Sequence, residues 1–147
     1  VAAGMPLPAL TQNPFHLYRS ATQSDVIDYA NKNGITFLGY SPFGVPDYHN
    51  YSFVGAPAGN QLQHPYVLSL ADKYSATPAQ VLIQWQYQLG IPVNPRSMNA
   101  THMADNLATY SLFAAIGGLN QTEMDNLSSQ PQDICGGDAS GWYECAL

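Results

Sequence analysis

The chain has 147 residues, 46% of them apolar, which fits one globular domain with a core of its own. Charged residues make up only 10%, against roughly 25% in typical soluble domains, and the net charge is −6. A nucleic-acid partner is excluded because phosphate binding needs clustered cations, and the four basic residues are scattered: Arg19, Lys32, Lys73 and Arg96. No apolar run approaches the ~20 residues of a membrane span, so none is expected.

The first part of the chain predicts strands that alternate with helices. A short strand is predicted at Pro8–Gln12, followed by a helix over Thr22–Lys32 that opens with the capping sequence TQSD. Ile35–Tyr40, with the sequence ITFLGY, is apolar throughout, which is typical of a parallel strand covered on both faces. A long segment rich in Gly, Pro, Tyr and Asn then leads to a helix at Pro65–Tyr74.

The second part repeats this alternation. Thr77 can cap a helix whose first position is Pro78, where the missing N–H costs nothing. The elements predicted after it are a helix to Leu89, a strand at Ile91–Asn94, a helix at Thr101–Tyr110, a weaker strand at Leu112–Ile116 and a helix at Gln121–Ser129. Four strand-then-helix units in succession predict an α/β fold with parallel strands and right-handed crossovers.

The C-terminal tail predicts an oxidising compartment. Cys135 and Cys145 bracket the Gly-rich segment CGGDASGWYEC, which can close a small disulfide loop, although two free thiols are the alternative. This tail, residues 135–147, is separated from a main unit at 1–134. We expect a secreted or extracellular chain.

Acceptor sequences for N-linked glycans point the same way. The sequons NYS, NAT, NQT and NLS begin at Asn50, Asn99, Asn120 and Asn126, and none has proline in its middle position. Their number exceeds the roughly one that chance would supply. Attached glycans would also explain how a surface with so little charge stays soluble.

Three separated motifs resemble one enzyme family. The stretches YANKNGITFLGYSPFG, TPAQVLIQWQYQLGIPVNPRS and MADNL are similar, in this order and spacing, to the C-terminal half of the aldo-keto reductase family. The resemblance covers roughly residues 7–130. It implies half of a (β/α)8 TIM barrel and NADPH as the cofactor.

The resemblance assigns the nicotinamide end of the cofactor to residues near two strand ends. Gln12 matches the glutamine that holds the nicotinamide amide in this family. Tyr40 matches the tyrosine that stacks on the nicotinamide ring, and Ser41 and Phe43 would line the pyrophosphate.

The phosphate end of the cofactor maps to a later strand and helix. Arg96 and Ser97 match the family's residues around the ribose 2'-phosphate, and an arginine can meet a phosphate through two hydrogen bonds. Asp105 and Asn106 match the residues set against adenine. His102 stands where the family usually has an arginine, and a neutral imidazole is a poorer phosphate ligand. NADPH binding is therefore expected to be weakened or lost.

No catalytic residue is assigned in this chain. The family's acid tyrosine, lysine, aspartate and histidine come from the first half of the barrel, which the resemblance does not cover. We therefore expect the cofactor-side half of a carbonyl oxidoreductase that is inactive alone and needs an N-terminal half-barrel or more copies of itself. The alternatives are a secreted, N-glycosylated, non-catalytic protein that uses the scaffold for assembly, and a binding module that keeps a pocket without chemistry.

Without the resemblance, the same residues have plainer interpretations. Tyr40 at a strand end is more often a packing residue, Arg96 a surface residue and Gln12 a satisfied polar group. Asp105 lies early in a helix, where the macrodipole favours a carboxylate whatever its function. The four histidines lack the spacing of metal ligands, so no metal site is predicted.

Overall fold

The computed structural model describes residues 5–44 and 61–130 as one parallel sheet with helices packed against it. The strands are β1 (Leu10–Pro14), β2 (Thr36–Tyr40) and β3 (Val93–Asn94). The helices are α1 (Ser24–Lys32), α2 (Pro65–Tyr74), α3 (Pro78–Gln88), α4 (Ala100–Ile116) and α5 (Gln121–Ser128), with single 3-10 turns at 21–23 and 61–63. The sheet order is β1-β2-β3, and both pairings are parallel. This arrangement is consistent with part of a TIM barrel.

The strand register brings the carboxyl ends of all three strands to one edge of the sheet. Tyr40 pairs with Pro14 on one side and with Asn94 on the other. Along this face Gln12 and Tyr40 are exposed. Since parallel partners share a face, one side of the sheet carries exposed side chains at the edge where barrel proteins place their sites.

The opposite face of the sheet packs tightly on the helices. Gly39 lies there because a Cβ atom at this position would stand 3.0 Å from Phe15 Cβ and 3.2 Å from Ile91 Cγ2. Trp85 of α3 is fully buried and stacks on Phe15 with ring centroids 5.7 Å apart. Its Nε1 donates to Ser128 Oγ at 3.1 Å, so the indole N–H is satisfied inside the core.

Helix α3 begins as the sequence predicts. Thr77 Oγ1 accepts from Gln80 N at 3.2 Å, while Gln80 Oε1 accepts from Thr77 N at 2.9 Å. Pro78 occupies the first turn. This reciprocal capping box satisfies two backbone donors that the helix itself leaves free.

Two predictions about secondary structure are wrong. No strand forms at Leu112–Ile116, because α4 continues unbroken to Ile116 and ends only at Gly117, whose φ is 81°. Thr109 and Phe113 are buried four residues apart, which is helical spacing, so a fourth strand-helix unit is absent from the described ranges. The TQSD cap also fails, since Thr22 Oγ1 donates to Arg19 O at 3.0 Å and α1 begins after a 3-10 turn.

Helix α5 is tied to α2 through one buried carboxylate. Glu123 accepts from Lys73 Nζ at 2.6 Å and from Tyr74 OH at 2.6 Å. Its Oε2 also accepts from the backbone N–H of Asn120 at 2.9 Å, which closes a second capping box. Burial raises the pKa of Glu123, but these hydrogen bonds and the Lys73 charge outweigh burial and leave the pKa below its ordinary value.

Several predictions lie outside the described residues. They are the Cys135–Cys145 disulfide, the tail at 135–147 and the sequon at Asn50. Within the described ranges, no helix combines the length and apolar character that crossing a bilayer requires.

Candidate functional site

A cleft of about 560 Å³ opens at the carboxyl ends of the three strands. Five of the nine residues predicted to hold a cofactor line it, together with three others. The lining residues are Gln12, Tyr40, Ser41, Asn94, Pro95, Arg96, Ser97 and Met103. Residues more than 80 positions apart in the sequence therefore share one surface.

The turn after β2 is held from behind by helix α3. Ser41 has a φ of 51°, a left-handed conformation that is uncommon outside glycine, and its carbonyl accepts from Gly44 N at 2.9 Å. The Pro42 carbonyl accepts from Gln86 Nε2 at 3.0 Å. Gln86 is fully buried, so this amide fixes the backbone that carries Tyr40 and Ser41 at the cleft.

The segment after β1 is held by a second buried amide. Gln61 Nε2 lies 2.9 Å from His16 Nδ1, and Gln61 Oε1 accepts from Leu17 N at 3.1 Å. Burial, with a smaller contribution from the Arg19 charge, lowers the pKa of His16 to about 4. His16 is therefore neutral at pH 7, and its Nδ1 accepts the Gln61 hydrogen bond.

The loop after β3 presents a cation and a hydroxyl to the cleft. Arg96 is exposed and forms no ion pair with any residue of the described ranges. Ser97 Oγ accepts from Asn99 N at 3.1 Å, and Asn99 then caps helix α4 by accepting from Thr101 N at 2.9 Å. The guanidinium of Arg96 can therefore meet an anion without giving up an existing partner.

The other four predicted cofactor residues do not line the cleft. Phe43 is partly buried and packs against the hydrophobic core. His102, Asp105 and Asn106 lie on the first turns of α4, whose residue Met103 does reach the cleft. The carbonyl of Asp105 accepts from Gln80 Nε2 at 2.9 Å, so this backbone position joins α4 to α3.

The described lining of the cleft is polar and aromatic. It combines the Tyr40 phenol ring, two amides, two serine hydroxyls and one guanidinium, and includes no histidine, lysine or carboxylate. Over the same ranges of the chain, no group of three metal-ligating side chains comes together.

Sequence reasoning missed several residues that shape this site. Asn94, Pro95 and Met103 line the cleft. Gln61 and Gln86 support it from the core. Asn94 could have been found as a polar residue at a strand end. Gln86 has no comparable signal, because helix α3 carries three other glutamines.

Comparison with known proteins identifies the family. Residues 2–116 match the model of the Aldo/keto reductase family. A probable NAD(P)H-dependent D-xylose reductase from Aspergillus terreus is 37% identical over 123 residues, which are 83% of this chain and 36% of that protein. Aldo-keto reductase family 1 member A1 from Xenopus tropicalis is 31% identical over 120 residues, covering 78% of this chain and 35% of the relative.

A solved structure shows the same fold. The crystal structure of Gox0644 in its apo form superposes with a TM-score of 0.70 at 24% identity, over 92% of this chain and 43% of that one. The chain thus spans less than half the length of the relatives it matches.

Proposed function

Because the chain belongs to the aldo/keto reductase family, we propose that it carries the cofactor-side part of an NAD(P)H-dependent carbonyl oxidoreductase. The observation that carries this proposal is the cleft that joins Gln12, Tyr40, Ser41, Arg96 and Ser97. The relatives named above as NAD(P)H-dependent reductases support a nicotinamide cofactor.

The exposed groups of the cleft fit such a cofactor. The Tyr40 ring is 39% exposed and offers a flat surface for a nicotinamide ring, with the Gln12 amide on the neighbouring strand. Arg96 would bind a phosphate oxygen, and its planar fork suits the dianionic 2'-phosphate of NADPH. The bound cofactor would supply the hydride, while these side chains orient it.

Catalysis requires groups from outside the described cleft. An acid that protonates the carbonyl oxygen contributes on the order of a hundredfold to ten-thousandfold in rate, and no described lining residue is placed in that role. The exposed face and the outer edges of β1 and β3 support docking against further strands. The partner we propose is an N-terminal barrel portion, and additional copies of this chain are the alternative.

A chimera tests this proposal. In the Aspergillus terreus relative, the segment that matches this chain is replaced by residues 2–130. The chimera is expressed in bacteria that do not attach N-linked glycans, and aldehyde reduction is assayed with NADPH and NADH. We expect reduction by the chimera, and we expect Arg96→Ala to raise KM for NADPH more than for NADH because the 2'-phosphate contact is lost. Lys32→Ala, which removes a cation from α1 outside the cleft, is the matched control.

A folded chimera that binds neither cofactor would overturn the proposal. Folding is checked separately by circular dichroism and by a cooperative thermal transition. If Arg96→Ala and Lys32→Ala change KM for NADPH equally, Arg96 does not bind the cofactor.

The second candidate function is a secreted, non-catalytic glycoprotein that uses the scaffold for assembly. It is favoured by the exposure of Asn99, Asn120 and Asn126, the three sequon asparagines within the described ranges. Mass spectrometry of the native protein under denaturing conditions separates the candidates. A mass of 15.9 kDa plus the mass of attached glycans favours the non-catalytic glycoprotein. A polypeptide about twice that size or larger favours the enzyme.

A further inference from the structure

The sequon at Asn99 is folded into a geometry that leaves its acceptor nitrogen free. Asn99 is exposed, and its Oδ1 accepts from the N–H groups of Thr101, at 2.9 Å, and His102, at 3.4 Å. The bond to Thr101 is an Asx turn that spans the sequon itself. Asn99 Nδ2 has no hydrogen-bond partner among the described residues, so it can carry a sugar without loss of the helix cap.

The other two described sequons differ from Asn99 in their position relative to the cleft and in their hydrogen bonds. Asn120 also caps a helix, with Oδ1 accepting from Glu123 N at 3.0 Å, and no residue of its helix lines the cleft. Asn126 lies inside α5, and its Nδ2 already donates to Tyr66 OH at 3.2 Å. In the same sequon, Ser128 Oγ accepts from buried Trp85, so the folded structure uses this sequon for packing.

Asn99 does not itself line the cleft but is hydrogen-bonded to two residues that do. Its backbone N–H donates to the hydroxyl of Ser97 at 3.1 Å, and its carbonyl accepts from Met103 N at 3.0 Å. Both of these partners line the cleft. Any group attached to Asn99 Nδ2 is therefore anchored next to the loop that carries Arg96 and Ser97.

We infer that Asn99 carries an N-linked glycan and that this glycan excludes a dinucleotide from the cleft. The exclusion rests on the function proposed for the cleft. In the transfer, Asn99 Nδ2 forms a bond to C1 of the first sugar, the bond from C1 to a lipid-linked diphosphate donor breaks, and the amide loses one proton as the lipid diphosphate leaves. The bulky, hydrated glycan then occupies the approach to Arg96 and opposes entry of a charged ligand.

The test uses the full chain secreted from a glycosylating host. Glycopeptide mass spectrometry measures occupancy at each sequon, and NADPH is titrated by its fluorescence. Thr101→Ala removes the Asn99 sequon and keeps the Asn99 side chain as the helix cap. Thr122→Ala does the same at Asn120, away from the cleft, and is the matched control.

We expect Asn99 and Asn120 to be occupied and Asn126 to be empty. Thr101→Ala should tighten NADPH binding at least about tenfold relative to the glycosylated chain, and Thr122→Ala should not change it. If Asn99 carries no glycan while Asn120 does, Asn99 is not a modification site. An occupied Asn99 with equal NADPH affinity in the wild type and Thr101→Ala overturns the exclusion. If Asn99 is occupied and Thr101→Ala binds no NADPH, the cleft does not bind a dinucleotide. The proposed function and the exclusion by the glycan are then both wrong, but the glycan at Asn99 is confirmed.

Discussion

Acidification should weaken the fold through His16, a buried residue just after β1. In the folded chain its pKa is about 4, against 6.5 for an unperturbed histidine. The unfolded chain therefore binds the proton more tightly, and the free energy of unfolding falls as the pH drops from 6.5 towards 4. At about 1.36 kcal/mol for each pH unit between the two values, the full loss is about 3 kcal/mol.

The structural cause is the contact between His16 and Gln61. At neutral pH the Nδ1 atom of His16 accepts from Gln61 Nε2 at 2.9 Å. With a proton on Nδ1, His16 could no longer accept the Gln61 hydrogen bond, because both groups would be donors. The protonated ring would also place a buried positive charge near the Arg19 guanidinium, and Arg19 is itself only 7% exposed. His16→Asn keeps a carbonyl acceptor close to the Nδ1 position but does not titrate.

Urea unfolding between pH 7.5 and pH 5 measures this effect. At pH 5 the wild type should have lost about 2 kcal/mol of unfolding free energy, while His16→Asn should show a much flatter profile. His102→Gln, which removes an exposed imidazole on α4, is the control and should follow the wild type. A wild-type profile that is flat over this range refutes the reasoning, as does an unchanged slope in His16→Asn.

Three further substitutions test the packing around the site by urea unfolding at pH 7. Glu123→Gln should lower the free energy of unfolding because Lys73 and Tyr74 lose their ionised acceptor. In a pH series the difference from wild type should shrink as the pH falls through the lowered pKa of Glu123, and a difference that does not depend on pH contradicts the assigned cause. Gly39→Ala should cost about 1–3 kcal/mol because its Cβ would lie 3.0 Å from Phe15 Cβ, so a neutral result would show that the sheet yields easily. Thr77→Ala should cost about 0.5–2 kcal/mol through loss of the capping box, and an unchanged midpoint would mean that the cap contributes nothing.

Helices with strong local signals were predictable from the sequence. The bounds of α2 are those predicted, Pro65–Tyr74, and α3 begins at Pro78 after a Thr77 cap. In both helices a proline and a capping residue mark the start, so local chemistry decides the boundary. The family and its parallel α/β fold were also accessible, because three separated motifs occur in order.

Features that depend on tertiary contacts were not predictable in the same way. The apolar segment Leu112–Ile116 suits a strand or a helix, and the burial of Phe113 against the core selects the helix. The supporting role of Gln86 depends on a carbonyl 44 positions away in the sequence, at Pro42. Family motifs could name the residues of the cleft, but only the strand register could show that Tyr40 and Asn94 lie side by side.

A titration of NADPH against the Thr101→Ala chain, which lacks the Asn99 sequon, tests the central claim most directly. Nicotinamide fluorescence should show saturable binding, and Arg96→Ala in the same background should weaken it at least about tenfold, since a charge-assisted contact to phosphate is removed. Lys32→Ala should leave the binding curve unchanged. The absence of saturable binding, or binding that is equally strong without Arg96, would contradict the assignment of this cleft to the cofactor.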